Sequence, residues 1–350
     1  MAAQDDIWTI KKLLDWSVGY MEKHNVDAPR LTAELLLAHA LELSKIQLYI
    51  QFDKPMAQEE LAAYKALLKR RVQGEPTQYI LGDQEFWSMT FTVNPSVLIP
   101  RPDTECMIEE VLKLAKQGVI PKDGVFLDIG TGSGTIACAL AKEFPDAKIH
   151  AVDLSEDALA VATKNVEDLG FSSQITLHHG DLFSPVEGMS FSLIVSNPPY
   201  IKSKDMLTLQ REVRDFEPAS ALDGGEDGLD YVRQIVAQAP SFLEDGGALL
   251  CEIGSDQGVE ALAVGEHAEG FAQAQMLTDY AKRDRILACY TKPLPTKEEE
   301  GELIRETSKE YIPPTLAPGE DVYVEPIEYH PELEAAAEMA AADVETEPIG

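Results

Sequence analysis

The chain has 350 residues, 45% of them hydrophobic, and a formal net charge of −32. This length predicts more than one domain, and the apolar content is sufficient for a substantial core. Proteins that bind DNA or RNA contact phosphates with basic surface, so the charge argues against a nucleic-acid partner. The sequence contains no apolar run of membrane-spanning length and no hydrophobic signal segment, which predicts a soluble, cytoplasmic protein without a membrane partner.

Residues 1–74 are predicted to form a helical domain. The segment IWTIKKLLDWSVGYMEKHNV places its apolar residues at helical spacing, and Pro29 suits the first turn of a second helix. A third amphipathic segment, AQEELAAYKALLKRRVQG, ends at Gly74, and SKIQLYIQF predicts a shorter helix. The stretch QYILGDQEFWSMTFTVNPSVLIP alternates apolar and polar residues, which predicts a β-hairpin and a linker over residues 75–100.

Residues 101–292 are predicted to form an α/β domain. The segments VFLDIG, KIHAVD, QITLHHG, FSLIVS and GALLCEIG are short strands, several of them separated by helical stretches. Two further strands, AQAQMLTDY and RILACYT, are predicted to close the sheet as an antiparallel pair. This alternation predicts a mostly parallel sheet of seven strands with helices on both faces.

Two features carry no predicted catalytic role. Residues 293–350 are rich in proline and glutamate, which predicts a disordered acidic tail. The four cysteines are scattered and show no CxxC spacing, so we expect free buried thiols and no metal site. They are Cys106, Cys138, Cys251 and Cys289.

A strand, a glycine turn and a helix follow one another in FLDIGTGSGTIACALA. The glycines let the backbone approach a ligand closely and leave helix N–H groups free to bind it. Their G-x-G-x-G spacing is typical of S-adenosylmethionine-dependent methyltransferases, whereas a nicotinamide fingerprint needs glycine in place of Thr135. A tight turn without a ligand is the alternative. The turn consists of Gly130, Thr131, Gly132, Ser133 and Gly134.

Acidic residues end the next two strands. Asp153 lies where a carboxylate accepts both ribose hydroxyls of a nucleoside, and the alternative is that it caps the helix beside Ser155. Asp181 lies where methyltransferases of this fold contact the adenine amino group, and Leu182 and Phe183 are expected to flank the ring.

The fourth strand delivers Asn197, Pro198, Pro199 and Tyr200 to the carboxyl edge of the sheet, where open α/β folds bind ligands. The Asn197 side-chain oxygen and the Pro198 carbonyl are both acceptors for a planar NH2 group, such as an amide or a base amine. They are predicted to align that nitrogen with the sulfonium methyl and to stabilise the charge that develops on it. The prolines fix the backbone and the tyrosine ring packs on the planar group; the alternative is a rigid turn without chemistry.

Together these motifs resemble the HemK/PrmC family, the N5-glutamine methyltransferases of peptide chain release factors. The resemblance extends to Lys292, and the usual PRPETE reads PRPDTE in this chain. The tail, residues 293–350, has no counterpart in the family. Besides NPPY, the resemblance rests on PTQYILG (76–82), VLIPRPDTE (97–105), LDIGTGSG (127–134), AVDLSEDAL (151–159), EPASALDGGEDGL (217–229), LLCEIGSDQG (249–258) and DYAKRDRI (279–286).

The resemblance implies a Rossmann-like class I methyltransferase domain that uses S-adenosylmethionine and releases S-adenosylhomocysteine. Its implied substrates are class 1 release factors, methylated on the glutamine of their Gly-Gly-Gln motif in support of translation termination. The helical domain would grip the release factor, and Arg101 and Glu105 would lie near the site. The implied cofactor contacts are Gly130–Gly134, Asp153, Leu182 and Asn197, and the implied glutamine contacts are Asn197, Pro198, Pro199 and Tyr200.

Three other functions remain as alternatives. An amino-methyltransferase of DNA or RNA would explain NPPY and the glycine turn, but not an acidic chain with little basic surface. A non-catalytic scaffold that keeps the fold would be expected to carry a damaged site, and both motifs are intact. A nicotinamide oxidoreductase lacks its third glycine at Thr135.

Overall fold

The computed structural model describes residues 7–295, and the predicted disorder of residues 296–350 lies outside that range. Four helices come first: α1 (Ile10–Glu22), α2 (Pro29–Leu41), α3 (Lys45–Ile50) and α4 (Gln58–Val72). The Thr9 side chain caps α1, and Pro29 occupies the first turn of α2, so the helices predicted here are confirmed. Their apolar faces share one core, which includes Ile10, Leu14, Leu36, Tyr64 and Leu68.

The next segment contains a short helix in addition to the predicted hairpin. Helix α5 (Thr77–Leu81) precedes β1 (Asp83–Phe86) and β2 (Met89–Thr92), which pair antiparallel. The hairpin prediction is confirmed for β1 and β2 and is wrong for residues 77–81. There, a short helix lies between Pro76 and Gly82 and buries Tyr79 and Ile80. The prediction failed because so few apolar residues do not show whether their spacing is that of a helix or of a strand.

The remaining elements form an α/β unit. They are α6 (Glu105–Lys116), β3 (Val125–Ile129), α7 (Thr135–Glu143), β4 (Lys148–Asp153), α8 (Glu156–Asp168), β5 (Ile175–His179), β6 (Phe191–Ser196), α9 (Arg211–Phe216), α10 (Asp230–Gln238), β7 (Leu243–Glu252), α11 (Gly258–Glu266), β8 (Gln273–Thr278) and β9 (Asp284–Tyr290). The sheet has the order β5-β4-β3-β6-β7-β9-β8, and β9 runs antiparallel to both of its neighbours. The predicted seven-stranded sheet and its closing pair are confirmed. None of the described helices is long and apolar enough to cross a membrane.

The sheet is buried on both faces because successive strand residues enter different cores. Phe126 packs in a core with residues of α6 and α7, whereas the next residue, Leu127, packs in a core with residues of α10 and α11. All six residues of β6 are buried, as expected for a central parallel strand. The four cysteines are buried and free, which confirms the prediction of free thiols.

The hairpin turn has an unfavourable backbone that the α/β unit compensates. Trp87 and Ser88 have φ values of +50° and +53°, in the left-handed region that favours glycine. Glu105 accepts the Trp87 backbone N–H at 2.8 Å, and Glu143 accepts its indole N–H at 2.8 Å. These two carboxylates fasten the turn to α6 and α7.

Asn165 of α8 joins the hairpin to the glycine turn. Its side-chain oxygen accepts the Thr92 N–H at 2.7 Å, and its NH2 group donates to the carbonyls of Thr92 at 3.0 Å and Ser133 at 2.8 Å. The residue is 2% exposed, so water does not replace these bonds. One buried amide therefore positions two segments that are distant in sequence.

We expect Asn165→Ala to lower the free energy of unfolding by about 2–4 kcal/mol, because backbone groups of the half-buried Thr92 and the buried Ser133 lose their partner. Chemical denaturation measures the change. The matched control is Thr163→Ala on the exposed face of the same helix, which should stay within about 0.5 kcal/mol of the original protein. A change in Asn165→Ala no larger than in the control would contradict the bridging role.

Candidate active site

A cavity of about 320 Å³ lies at the carboxyl ends of β3, β4 and β6. It brings together most of the residues predicted from the sequence, because the carboxyl ends of these parallel strands meet at one edge. Three of the predicted cofactor and glutamine contacts do not line it: Gly134 packs its Cα side against Ala162, Phe183 is buried in the core that contains α10, and Tyr200 lines a neighbouring cavity of about 250 Å³. The predicted contacts that line the main cavity are Gly130, Thr131, Gly132, Ser133, Asp153, Asp181, Leu182, Asn197, Pro198 and Pro199.

The glycine turn needs its glycines for their backbone conformation. Gly130, Gly132 and Gly134 have φ values of +72°, +56° and +82°. A Cβ atom on Gly130 or Gly132 would meet no protein atom within 4 Å, so these two positions face open space. N–H groups of the turn itself have partners within the protein: Gly132 donates to Asp153 at 2.8 Å, and Gly130 donates to the Val152 carbonyl at 2.9 Å.

Asp153 supports the turn on one side and the start of α8 on the other. Its Oδ2 accepts the Gly132 N–H, and its Oδ1 accepts the Ser155 N–H at 2.9 Å. Ser155 itself caps α8 by accepting the Ala158 N–H at 3.2 Å. A carboxylate has about four acceptor positions, so Asp153 keeps acceptor capacity for a ligand after both bonds.

Asp181 and Leu182 follow β5 on the far side of the cavity. Asp181 is exposed at the rim, and its backbone carbonyl accepts the Ser184 N–H at 2.9 Å. Leu182 has a φ of +46° and is half-buried against the core that contains α10. The two residues therefore face the cavity from the strand beyond Asp153.

Asp128 is a buried acid that the sequence reasoning missed. It is completely buried beneath the glycine turn, and one carboxylate oxygen accepts the Thr131 hydroxyl at 2.7 Å. Its other oxygen has no hydrogen-bond partner among the described residues. Burial raises the pKa of Asp128 to about 7. The available signal was a carboxylate inside the otherwise apolar strand VFLDI.

The segment that ends β6 is held from behind. Ser196 donates to the Ile129 carbonyl at 2.8 Å, which ties the end of β6 to the end of β3. The Asn197 NH2 group donates to the Thr104 hydroxyl at 3.1 Å, and Thr104 donates to Glu252 at 2.6 Å. The Tyr200 hydroxyl donates to the other Glu252 oxygen at 3.3 Å. Burial raises the pKa of Glu252 above its ordinary value.

Arg101 and Glu105 have different surroundings, although VLIPRPDTE contains both. Arg101 lines the main cavity and forms an ion pair of 2.5 Å with Glu217, whose second oxygen accepts the Ile99 N–H at 3.2 Å. Glu105 is not among the residues that line the cavity, and its described hydrogen bond is to the hairpin turn at Trp87. Arg101 thus belongs to the site, whereas Glu105 supports the hairpin.

Comparison with known proteins identifies the family. The PrmC N-terminal domain matches residues 12–82, and the methyltransferase small domain matches residues 106–215. A release factor glutamine methyltransferase of Geobacter sulfurreducens is 47% identical over 287 residues, which cover 82% of this chain and 98% of the relative. The chain belongs to the release factor glutamine methyltransferase family. A family member from Chlorobaculum tepidum is 40% identical over 292 residues, with 82% of this chain and 98% of the relative covered.

Family membership confirms the resemblance found in the motifs, and with it the class I methyltransferase fold. Among solved structures, the release factor-specific protein-(glutamine-N5) methyltransferase of Alicyclobacillus acidocaldarius is 30% identical. That match has a TM-score of 0.37 and covers 58% of this chain and 100% of that chain.

The buried Asp128 predicts a stability that falls as the pH rises. Its folded-state pKa of about 7 exceeds the ordinary value of 3.8, so the folded protein binds this proton more tightly than the unfolded chain. Between roughly pH 5 and pH 7 the unfolded chain has lost this proton while the folded protein largely keeps it, so the free energy of unfolding falls by about 2 kcal/mol. Asp128→Asn removes the titrating group, and we expect its stability relative to the original protein to rise by that amount over this interval.

Urea denaturation of the cofactor-free protein at several pH values measures this difference. Asp146→Asn, at an exposed position between α7 and β4, is the matched control and should parallel the original protein at every pH. If Asp128→Asn also parallels the original protein, Asp128 is not the group responsible.

Proposed function

We propose that this chain transfers a methyl group from S-adenosylmethionine to the side-chain amide nitrogen of the glutamine in the Gly-Gly-Gln motif of class 1 release factors. The names of its family relatives support the substrate. The observation that carries the chemistry is the position of Asn197: its amide lines the same cavity as the glycine turn and Asp153. A methyl donor and an amide acceptor therefore have adjoining places in one site.

The residues of the cavity fit S-adenosylmethionine. Gly130 and Gly132 present backbone to open space, where an amino-acid moiety is accommodated without a Cβ in the way. Asp153 retains acceptor positions for ribose hydroxyls, and Asp181 and Leu182 form the wall expected for the adenine. The bound cofactor supplies an electrophilic methyl group on its sulfonium. Loss of that methyl group leaves the neutral thioether S-adenosylhomocysteine.

The chain must compensate for a poor nucleophile, because the lone pair of an amide nitrogen is delocalised. The Asn197 Oδ1 and the Pro198 carbonyl accept both N–H bonds of the substrate amide and so fix the direction of its lone pair. The same two oxygens stabilise the positive charge that grows on nitrogen during transfer, and the methylated amide becomes neutral when one N–H proton leaves to water. Pro198 and Pro199 restrict the backbone that carries the carbonyl, and Tyr200, which lies outside the main cavity, donates to Glu252 behind it.

We also infer the division of labour along the chain. Residues 1–74 would recognise the release factor, residues 75–100 would link, and residues 101–292 would catalyse. The separate core of α1–α4 supports this division. Because release factors act in translation, we propose a cytoplasmic location and no direct nucleic-acid partner.

A transfer assay with labelled S-adenosylmethionine tests the proposed function. Unmodified release factor and unmethylated DNA are offered separately, and mass spectrometry locates the added methyl group. We expect modification of the Gly-Gly-Gln glutamine and none of the DNA. Label on DNA with an unmodified release factor would establish the amino-methyltransferase alternative instead.

In the same assay, Asn197→Ala should slow single-turnover transfer by about 10²–10³-fold, because a preorganised acceptor for the developing charge is lost. Its affinity for S-adenosylhomocysteine should fall much less, and its melting temperature should change little, since both prolines still end the strand. A fall in transfer accompanied by an equal loss of folded protein would instead indicate that NPPY is only a rigid turn.

Asp153→Ala should weaken S-adenosylhomocysteine binding by about ten- to a hundredfold, or about 1.5–3 kcal/mol, because the ribose hydroxyls lose a charged acceptor. Calorimetry measures the affinity. Asp157→Ala, an exposed acid in the first turn of α8, is the matched control for charge and should bind normally. Equal affinities of the two variants would leave Asp153 as a support for the turn alone.

A further inference from the structure

Two motifs contribute a residue to a hydrogen-bonded chain behind the substrate-facing amide. Thr104 belongs to VLIPRPDTE and Glu252 to LLCEIGSDQG, and they are 4% and 1% exposed. Ser196 at the end of β6 lies opposite Cys251 of β7, so Asn197 and Glu252 follow at the same level of the sheet. Thr104 lies between them, 3.1 Å from the Asn197 nitrogen and 2.6 Å from Glu252.

We propose that Thr104 and Glu252 are positioning residues, which fix the end of the Asn197 amide that faces the substrate. The inference rests on the proposed function, because it specifies how Asn197 is presented to the glutamine. Neither residue needs to touch the substrate for this role; both act through the orientation of Asn197.

The direction of this hydrogen-bonded chain follows from which of its groups donate a proton and which accept one. Both Glu252 oxygens act as acceptors, one from the Tyr200 hydroxyl and one from the Thr104 hydroxyl, so Thr104 gives its single proton to Glu252. The Thr104 oxygen then has only lone pairs to offer, and it accepts from the Asn197 NH2 group. The amide oxygen of Asn197 is consequently the end left for the cavity.

In the opposite orientation, the NH2 group of Asn197 would face the cavity in place of its oxygen. An amide turned by 180° has nearly the same shape, so packing alone discriminates poorly between the two ends. The turned amide would point its NH2 group at the NH2 of the substrate glutamine, where both groups are donors. It would also remove an acceptor from the nitrogen on which positive charge develops.

Tyr200 completes the arrangement from the other side of Glu252. Its hydroxyl donates to the second carboxylate oxygen at 3.3 Å, so both oxygens of the buried acid have a donor. Because both oxygens of the buried Glu252 carboxylate accept hydrogen bonds, the donors and acceptors linked to it keep a fixed direction. The last residue of NPPY is thus connected to the first through Glu252 and Thr104.

The first test is Thr104→Val, which keeps the shape and removes the hydroxyl. We expect single-turnover transfer to a release factor to slow by about 10–100-fold, with S-adenosylhomocysteine affinity within about twofold of the original. Thr104→Ser restores a hydroxyl and should recover most of the rate. The matched control is Ser192→Ala, which removes a buried hydroxyl that donates to the Val125 carbonyl near the start of β6, outside the cavity, and it should transfer normally.

The second test asks whether the two residues act as one chain. Glu252→Gln keeps the size but provides a donor, so the chain is free to reverse, and we expect a similar slowing. In the double variant Thr104→Val with Glu252→Gln, the slowing should be close to that of the slower single variant, because the chain is already broken. Slowing equal to the product of the two single effects would overturn the proposal, as would normal transfer by Thr104→Val.

A third measurement does not depend on catalysis. The side-chain NH2 resonance of Asn197, assigned by its absence in Asn197→Ala, should exchange slowly in the cofactor-free protein and faster in Thr104→Val. Equal exchange in the two proteins would overturn the positioning role. If the original protein does not methylate the release factor, the proposed function fails, and this resonance still decides whether Thr104 orients the amide.

Discussion

The arrangement of this site depends on one constraint: three neighbouring parallel strands must end at the same level. In the order β4-β3-β6, strand β3 has β4 on one side and β6 on the other. Backbone and side-chain bonds then join the three ends, because the N–H groups of Gly130 and Thr131 reach the Val152 carbonyl and Ser196 reaches the Ile129 carbonyl. The glycine turn, Asp153 and Asn197 line one cavity because the sheet is continuous beneath them.

The polar groups of the site are supported by acids that the fold holds in apolar surroundings. Asp128 beneath the glycine turn and Glu252 behind NPPY are both almost completely buried. Burial of a carboxylate opposes folding. Here each buried carboxylate accepts a hydroxyl hydrogen bond that orients a neighbouring side chain, Thr131 for Asp128 and Thr104 for Glu252. The extensive cores on both faces of the sheet provide the stability that offsets these two residues.

Sequence reasoning succeeded where the signal is local and failed where contacts are distant. The strands, the glycine turn and NPPY each occupy a few consecutive residues, so their period and composition indicated the fold and most of the cavity wall. Thr104 and Glu252 are 148 positions apart, and no local pattern pairs them. The amide of Asn165 and the backbone of Thr92 are separated by 73 positions in the same way. The predicted domain boundaries and residue roles stay predictions.

The complete burial of β6 has a consequence for the newly made chain as well as for the finished enzyme. FSLIVS is apolar, rich in residues that favour strands and without charge, which is the composition of a segment that stacks with copies of itself when exposed. Pro198 and Pro199 follow almost at once, and neither has an N–H to donate to a growing intermolecular sheet. Since such a sheet cannot extend beyond Asn197, the two prolines that line the cavity also oppose aggregation before folding is complete.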